Sequence, residues 1–538
     1  MTLFVPGGPE RFAHQKRGLN RLIRNRGVGA LLYDPGLGKT AVVIDYASVL
    51  ALKLPQPEVK VLVICPLAAV DTWVMQMGKF VSDDVNYWAE AVGGSLLQRA
   101  ETLASRGGNP YTRQMSKGKY RTGRGPRTAH LGKSWAWAAK PDTVEQTDGP
   151  EAVPGPRIVL EVVNLDTITQ RSKVGSKTMA DVQVDAIKRF GPDLIVVDES
   201  HKIKSSSGNA SRLLARVSPS VKRRIILTGT VMPHSPLDVF GQWRFLDPYA
   251  FGHRQPDGSW RQATFGGFKN RFATLGGWMG KEVVGYRNLD EMQTIMSKAA
   301  VVARKDEALD LPETLDVTVP VHLTAKETKA YADMKEQLAA QIAKGVSVSA
   351  TSMLTQRIRL RQITSGHVPS DDGEMQIIGD SKVKAVQSIV NDSLVGEKRI
   401  VVFAFFSTEI AMLRKAFEDK DGTTEVQVIE GSTPTDERMR LRRRFGSDDP
   451  QRMVMIAQIK TMSLAVNELI TANHAIFASM SEQRDDMVQA RDRLNRIGQT
   501  RPITFWYCAA PGTVDDVIKK THGDRGDLEA AMLHHIRG

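Results

Sequence analysis

The stretch LLYDPGLGKTAVV, Leu31 to Val43, restricts the possible folds more than any other part of this chain. An apolar run of strand type, GALLY, leads into a glycine-bearing turn, and KTAVVIDYASVL then carries the apolar spacing of a helix packed on that strand. Gly36 and Gly38 can take backbone angles closed to other residues, so the turn can wrap tightly and aim its N–H groups inward. The helix that starts near Lys39 adds the positive end of its dipole, and the Lys39 ammonium adds a point charge. Such a turn suits phosphate. Lys39 is placed for the β- and γ-phosphates of a nucleotide, and the Thr40 hydroxyl for a magnesium ion. The full pattern G-x-x-x-x-G-K-[ST] has glycine where this chain has Tyr33, so the match is good without being complete.

The second half of such a site stands in PDLIVVDESHKIKSSS. Leu194 to Val197 is an apolar run fit for a buried parallel strand, and it ends on Asp198 and Glu199. Two adjacent acids at the end of a buried strand are costly unless a cation meets them there. In a phosphate-loop fold that cation is magnesium, held by Asp198 directly or through water, and Glu199 then orients and deprotonates the attacking water. With Lys39 and Thr40 upstream in the same strand–helix register, the pair reads as a nucleoside triphosphate hydrolysis site.

Bulk properties narrow the rest. The 538 residues allow three or four domain-sized units, or two large ones with insertions, and 41% hydrophobic residues suffice for ordinary cores. Two cysteines, Cys65 and Cys508, stand far apart with no C-x-x-C, which argues against a disulfide framework or a zinc ribbon. There is no signal-peptide pattern, and the longest apolar runs are too short to span a bilayer, so no membrane partner is expected. The net charge of +13 is compatible with a polyanionic partner.

Near the C-terminus, QARDRLNRIGQTRP contains Gln489, Arg493, Arg496, Gly498 and Gln499 in the spacing Q-A-x-x-R-x-x-R-I-G-Q. This resembles motif VI of the Swi/Snf-type branch of superfamily-two helicases and translocases. Further stretches match that family in order. FAHQKRGLNRL resembles its Q motif, which places Gln15 to read adenine. DPGLGKT resembles motif I, which puts Pro35, Gly36, Leu37, Gly38, Lys39 and Thr40 around the nucleotide. VICPLAAVDTWVMQMGKF resembles motif Ia with its following tryptophan, Trp73, while VVNLDTI fits motif Ib and DESHKIK motif II. ILTGTVMPHSPLDVFGQWRFLDP is similar to motif III, ARKDEALDLPETL to the linker between lobes, and RIVVFAFF and VIEGSTPTDERMRLRRRF to motifs IV and IVa.

The resemblance implies an α/β fold of two RecA-like lobes with parallel sheets and helical insertions, a P-loop NTPase using ATP and Mg2+. Strand-type runs alternating with helical patterns agree with it. Lobe one would span residues 1–305, with a basic insertion at about 102–156, and lobe two 306–538. Arg493 and Arg496 are three apart on the helix-like DDMVQARDRLNRI and so would share a face. Reaching the γ-phosphate as the lobes close, they would tie hydrolysis to movement along a polymer. The interval Phe251 to Asp380 has room for modest helical elaborations, including LTAKETKAYADMKEQLAAQIAKG. The family's glycine-rich motif V corresponds here to AQIKTMSLAVNELITANHAIF, which has no glycine; only its TANHAIF end fits the family's strand.

One stretch lies outside the motifs. Between Glu101 and Asp142 there is no acid, while Lys117, Lys119, Arg121 and Arg124 are among many bases interleaved with Tyr111, Tyr120, Trp135 and Trp137. Such a pattern suits a phosphate backbone and unpaired bases, and equally a solvated surface insertion. Three functional classes follow. The first is an ATP-driven motor on double-stranded DNA, which the resemblance favours. The second is a strand-separating or annealing helicase on forked or single-stranded DNA or structured RNA. The third is a binding module switched by ATP, against which Lys39, Asp198, Glu199, Arg493 and Arg496 all argue. The lack of reader domains and long charged tails suggests a stripped-down bacterial or phage enzyme, acting in the cytoplasm.

Overall fold

The computed structural model describes residues 10–56, 58–93, 96–105, 121–124, 155–168, 173–174, 177–277, 280, 282–343, 350–370, 372–418, 423–463 and 468–534. Backbone packing divides the chain into two units. The first runs through Ala308 and takes in the segment from Asp527 on; the second is Leu309–Gly526.

In the first unit, eight strands form one sheet: β1 (Val28–Tyr33), β2 (Glu58–Cys65), β3 (Asn86–Ala91), β4 (Arg121–Arg124), β5 (Arg157–Asn164), β6 (Leu194–Asp198), β7 (Arg223–Leu227) and β8 (Ala300–Ala303). Their order is β8-β1-β7-β6-β2-β5-β3-β4, and every pairing is parallel except β3 with β4. A parallel sheet covered on both faces demands near-continuous apolar strands, which VGALLY and LIVVD supply. Parallel strands need crossovers, and helices provide them: α1 (Ala13–Arg24) leads into β1, α2 (Lys39–Lys53) runs from β1 to β2, and α3 (Leu67–Phe80) from β2 to β3, the latter two passing over the strands that lie between in the sheet. In α1 the buried residues His14, Gln15, Gly18, Leu19 and Leu22 make one helical stripe.

The second unit holds six strands, all parallel: β9 (Thr314–Pro320), β10 (Arg399–Ala404), β11 (Thr424–Ile429), β12 (Arg452–Gln458), β13 (His474–Phe477) and β14 (Ile503–Ala509), in the order β9-β14-β13-β10-β12-β11. Two parallel sheets with flanking helices are the expected α/β architecture of two RecA-like lobes. The helix Val514–His534 starts in this unit, and its last turns belong to the first, where Met532 and Leu533 are buried in the core. There Glu529 accepts the Met232 N–H at 3.1 Å. Among the described residues no helix is long and apolar enough to cross a membrane.

Between Phe251 and Asp380 the expected helix is present as Ala325–Ala343. Among its described residues the same interval also holds three antiparallel ribbons, His253–Arg254 with Trp260–Arg261, Ala273–Gly276 with Glu282–Tyr286, and His367–Pro369 with Met375–Ile377, which the sequence did not announce. Strands this short leave no alternation to detect. In the basic insertion, Arg121 and Arg124 begin and end β4, paired at the sheet edge with β3; Lys117, Lys119, Tyr111, Tyr120, Trp135 and Trp137 lie outside the described residues.

Candidate active site

The chain leaves β1 at Tyr33 and turns into α2 through Asp34–Gly38. The turn uses left-handed backbone at Gly36 (φ 88°) and Gly38 (φ 77°), where other residues are strained. A Cβ on Gly38 would also stand 2.1 Å from Gln15 Nε2. That amide holds the loop from behind: Nε2 donates to the Leu37 carbonyl at 3.2 Å, and Oε1 accepts the Phe12 N–H at 3.1 Å. His14 Nε2 lies 2.9 Å from the same Leu37 carbonyl. Gln15 is thus engaged with backbone on both sides of its amide, a loop-holding role that the motif resemblance did not indicate.

The loop is fastened at its start as well. The Asp34 carboxylate accepts from Arg304 Nη1 at 3.2 Å and from the Lys305 N–H at 2.9 Å, tying it to the residues after β8. Pro35 packs on Gly229 so closely that a Cβ there would stand 2.8 Å from Pro35 Cδ. Leu37 is buried, and the Lys39 ammonium donates to the Tyr33 carbonyl at 2.8 Å. Thr40 follows in the first turn of α2.

Asp198 ends β6, one strand away from β1, with β7 between them. Ligands of open parallel sheets bind outside such carboxyl ends. Asp198 Oδ2 accepts from Trp73 Nε1 at 2.8 Å, and Oδ1 from the Glu199 N–H at 2.9 Å. Burial, and after it the Glu199 charge, push the Asp198 carboxyl up to about 6, against the Lys39 cation and the Trp73 hydrogen bond. Lys39, Asp198 and Glu199 therefore share one electrostatic site. A carboxyl so placed costs the folded chain stability at neutral pH unless a cation neutralises it, and an oxygen-donor set of carboxylate and threonine hydroxyl fits magnesium.

Glu199 adopts a left-handed backbone (φ 49°, ψ 51°), which costs a non-glycine residue about 1–2 kcal/mol. The turn swings its carboxylate to 3.4 Å from His201 Nδ1, which also lies 3.1 Å from Thr228 Oγ1. The Thr228 hydroxyl donates to the Thr230 carbonyl at 2.9 Å, so the hydrogen-bond network assigns the proton to His201 Nδ1. His201 thereby connects Glu199 to the loop after β7. Ser200 Oγ donates to Gln242 Oε1 at 2.8 Å, and Gln242 Nε2 donates to the Val231 carbonyl at 2.7 Å. Sequence reasoning missed Asp34, His201, Thr228 and Gln242, and noted Trp73 without a role. Each is recognisable only by its partner, which lies far away along the chain.

The Trp73–Asp198 contact is a hydrogen bond to a charged, poorly solvated group. Trp73→Phe should therefore destabilise the protein by about 1–3 kcal/mol. The expected result is a lower denaturant midpoint at unchanged slope; an unchanged midpoint would show that the bond contributes nothing.

Arg493 and Arg496 lie in the second unit, and the structure corrects their expected placement. The helix α4 (Arg484–Arg491) stops before both. The chain continues in turns closed by Leu494 N–H to the Arg491 carbonyl and Arg496 N–H to the Leu494 carbonyl, each at 3.1 Å. Gly498 takes φ 101°, and the buried Gln499 amide donates to the Ile470 and Ala472 carbonyls at 3.1 and 2.9 Å. These tertiary bonds outweigh the helical period. Arg491, a variable position of the motif, is the last residue of the helix; it pairs with Asp316 at 2.5 Å and lies 4.1 Å from the Phe505 ring centroid. The Arg496 guanidinium is held below its ordinary range by burial, with Asp492 and Glu468 acting in the opposite direction. In the motif V region, TANHAIF supplies β13, while residues 464–467 lie outside the described residues.

With this geometry in place, comparison with known proteins decides the family. A model described as the SNF2-related domain matches residues 14–367, more than half of the chain. The chain belongs to the SNF2-related family. A second model, the helicase conserved C-terminal domain, matches residues 381–498 of this SNF2-related chain. It is similar to the DNA annealing helicase and endonuclease ZRANB3 of Bos taurus, 26% identical over 346 residues that cover 63% of this chain and 30% of that protein. It is also similar to protein p41 of Acyrthosiphon pisum secondary endosymbiont phage 1, 23% identical over 364 residues, covering 64% of this chain and 72% of that one. The match thus spans about 30% of the length of the annealing helicases. A solved SWI2/SNF2 ATPase core of Sulfolobus solfataricus in complex with dsDNA is 20% identical, with coverage of 99% and 95% and a TM-score of 0.37.

Proposed function

We propose that this chain is an ATP-driven motor on double-stranded DNA, coupling hydrolysis to movement along the duplex or its remodelling. The observation that carries this reading is the strained Glu199 beside Asp198, one strand from the Lys39 loop and linked through His201 to Thr228. Membership in the SNF2-related family and a relative named as a DNA annealing helicase support DNA as the polymer. The phage relative, matched along 72% of its length, supports a bacterial or phage-infected cell as the setting.

In this reading Gly36 and Gly38 present backbone N–H groups to the phosphates, the Leu37 N–H leaves the Asp34 carbonyl to join them, Pro35 shapes the turn, and Lys39 leaves the Tyr33 carbonyl to meet the β- and γ-oxygens. Thr40 and Asp198 would hold magnesium, which would supply neutralisation of the phosphate charge when bound. Glu199 takes the proton from water as the water oxygen attacks the γ-phosphorus and the bond from that phosphorus to the β–γ bridging oxygen breaks, leaving ADP and phosphate, and His201 keeps the carboxylate aimed. Arg493 and Arg496 add positive charge to the transition state when the lobes close.

The test is the steady-state ATPase rate without polymer and with duplex DNA, single-stranded DNA, forked DNA and RNA. Duplex DNA is expected to stimulate most. Because phosphate contacts release counterions, log affinity should fall with log salt by roughly 0.9 per phosphate neutralised. A profile led by RNA, or no stimulation by any polymer, would overturn the reading.

A further inference from the structure

The ribbon 253–261, HRQPDGSWR, has no part in the nucleotide site, yet it is built with unusual care for a surface excursion. At its tip the Gln255 N–H donates to the Ser259 carbonyl at 2.7 Å and the Gly258 N–H to the Gln255 carbonyl at 2.9 Å. Gly258 takes the left-handed angle the turn needs (φ 83°), and Asp257 Oδ1 accepts the Ser259 N–H at 2.9 Å. At its root a Cβ on Gly252 would stand 2.4 Å from the Arg261 carbonyl oxygen, so the two strands close tightly. Next to that root Phe251 is buried edge-on against Phe268 and Phe272, with centroids at 4.8 and 5.7 Å. The ribbon is a stiff projection.

What it projects is Trp260, 58% exposed. Among the described residues neither Trp260 nor Arg261 has a side-chain partner. The register pairs Arg254 with Trp260 and His253 with Arg261, so each face of the ribbon carries a cation, one of them beside the indole. The single acid, Asp257, is turned back onto Ser259. A hairpin that only reversed the chain would gain nothing from an indole in water, whereas Trp and Arg are the residues on which binding energy concentrates.

We propose that this hairpin is a contact for unpaired nucleotides, with Trp260 stacked on a base and Arg254 and Arg261 on the flanking phosphates; its partner class rests on the DNA-motor reading. The charge pattern selects a polyanion with exposed π-faces. Uninterrupted duplex offers none to an indole, because its bases stack on one another, so the contact belongs to a fork, a gap or an end. The root of the hairpin packs toward the helix that carries Gln242. Phe268 packs on Phe240 at 5.2 Å, and Phe240 shares the helix Val239–Leu246 with Gln242, which holds Ser200 beside Glu199.

Fluorescence anisotropy of labelled forked DNA and blunt duplex with the full chain tests this without requiring turnover. Trp260→Ala is expected to weaken fork binding roughly tenfold and leave blunt-duplex affinity unchanged. Trp260→Phe, which keeps an aromatic face, should retain most of the fork affinity. Arg261→Ala should flatten the salt dependence on the fork by about one unit of slope. The proposal is overturned if Trp260→Ala binds the fork like the wild type, if both substrates weaken equally, if Phe is no better than Ala, or if the wild type does not bind the fork. Failure of the motor reading shows elsewhere, as a wild-type ATPase that no nucleic acid stimulates, and the anisotropy result stands independently of it.

Discussion

Glu199→Gln is expected to leave ATP bound and to lower turnover by roughly 10²–10⁴, the usual worth of a positioned base. The substitution keeps size and shape and removes the group that takes the proton. The amide still faces His201, so the left-handed turn after β6 and the bond to Thr228 survive. Lys39→Ala acts at the other end of the same site, taking away the cation that faces both the phosphates and Asp198. It should lose hydrolysis together with much of the nucleotide affinity. Single-turnover hydrolysis alongside binding of a fluorescent nucleotide separates the two variants. Substantial ATPase activity in both, each purified and folded, would sink the assignment of the site.

Arg493→Ala and Arg496→Ala are expected to lower DNA-stimulated turnover by roughly 10³–10⁵ while changing ATP affinity little. Their positive charge is proposed to act on the transition state, and an interaction made only there lowers kcat and kcat/KM together. Both residues sit in turns after α4 and not on it. Weaker ATP binding with intact turnover at saturating ATP would show that the residue in question binds nucleotide in the ground state instead.

The strands and their order along the chain were legible because burial on both faces leaves an apolar run that needs no partner to be recognised. VGALLY, LIVVD and RIVVFA each show it, and each became a central strand. The glycine turn was legible because Gly36 and Gly38 answer a local demand of the backbone, the left-handed angle. The acids after Val197 stood out because a buried strand that ends on two carboxylates conflicts with its own solvation.

The misplacement of Arg493 and Arg496 shows where that legibility stops. Their spacing of three fits a helix, and intrinsic periodicity has nothing to set against it. The helix ends at Arg491 because Gln499 bonds to Ile470 and Ala472 and Gly498 turns left-handed, contacts made to a loop more than twenty residues away. Gln15 adds a contact the motif does not record: only the folded chain shows its amide donating to the Leu37 carbonyl.

By itself, then, the sequence determined what is local in this protein: two sets of buried parallel strands, a phosphate-type glycine turn, a carboxylate pair at a strand end, and the ordered motifs of one family. The tertiary structure alone decided which groups serve those elements. Trp73 donates to Asp198 across 125 positions, Arg304 reaches Asp34 across 270, and Glu529 holds Met232 across 297. Hydrogen bonds and charges act over a few ångströms of space and carry no periodicity along the chain, so nothing in the order of residues records them until the sheet brings the strand ends together.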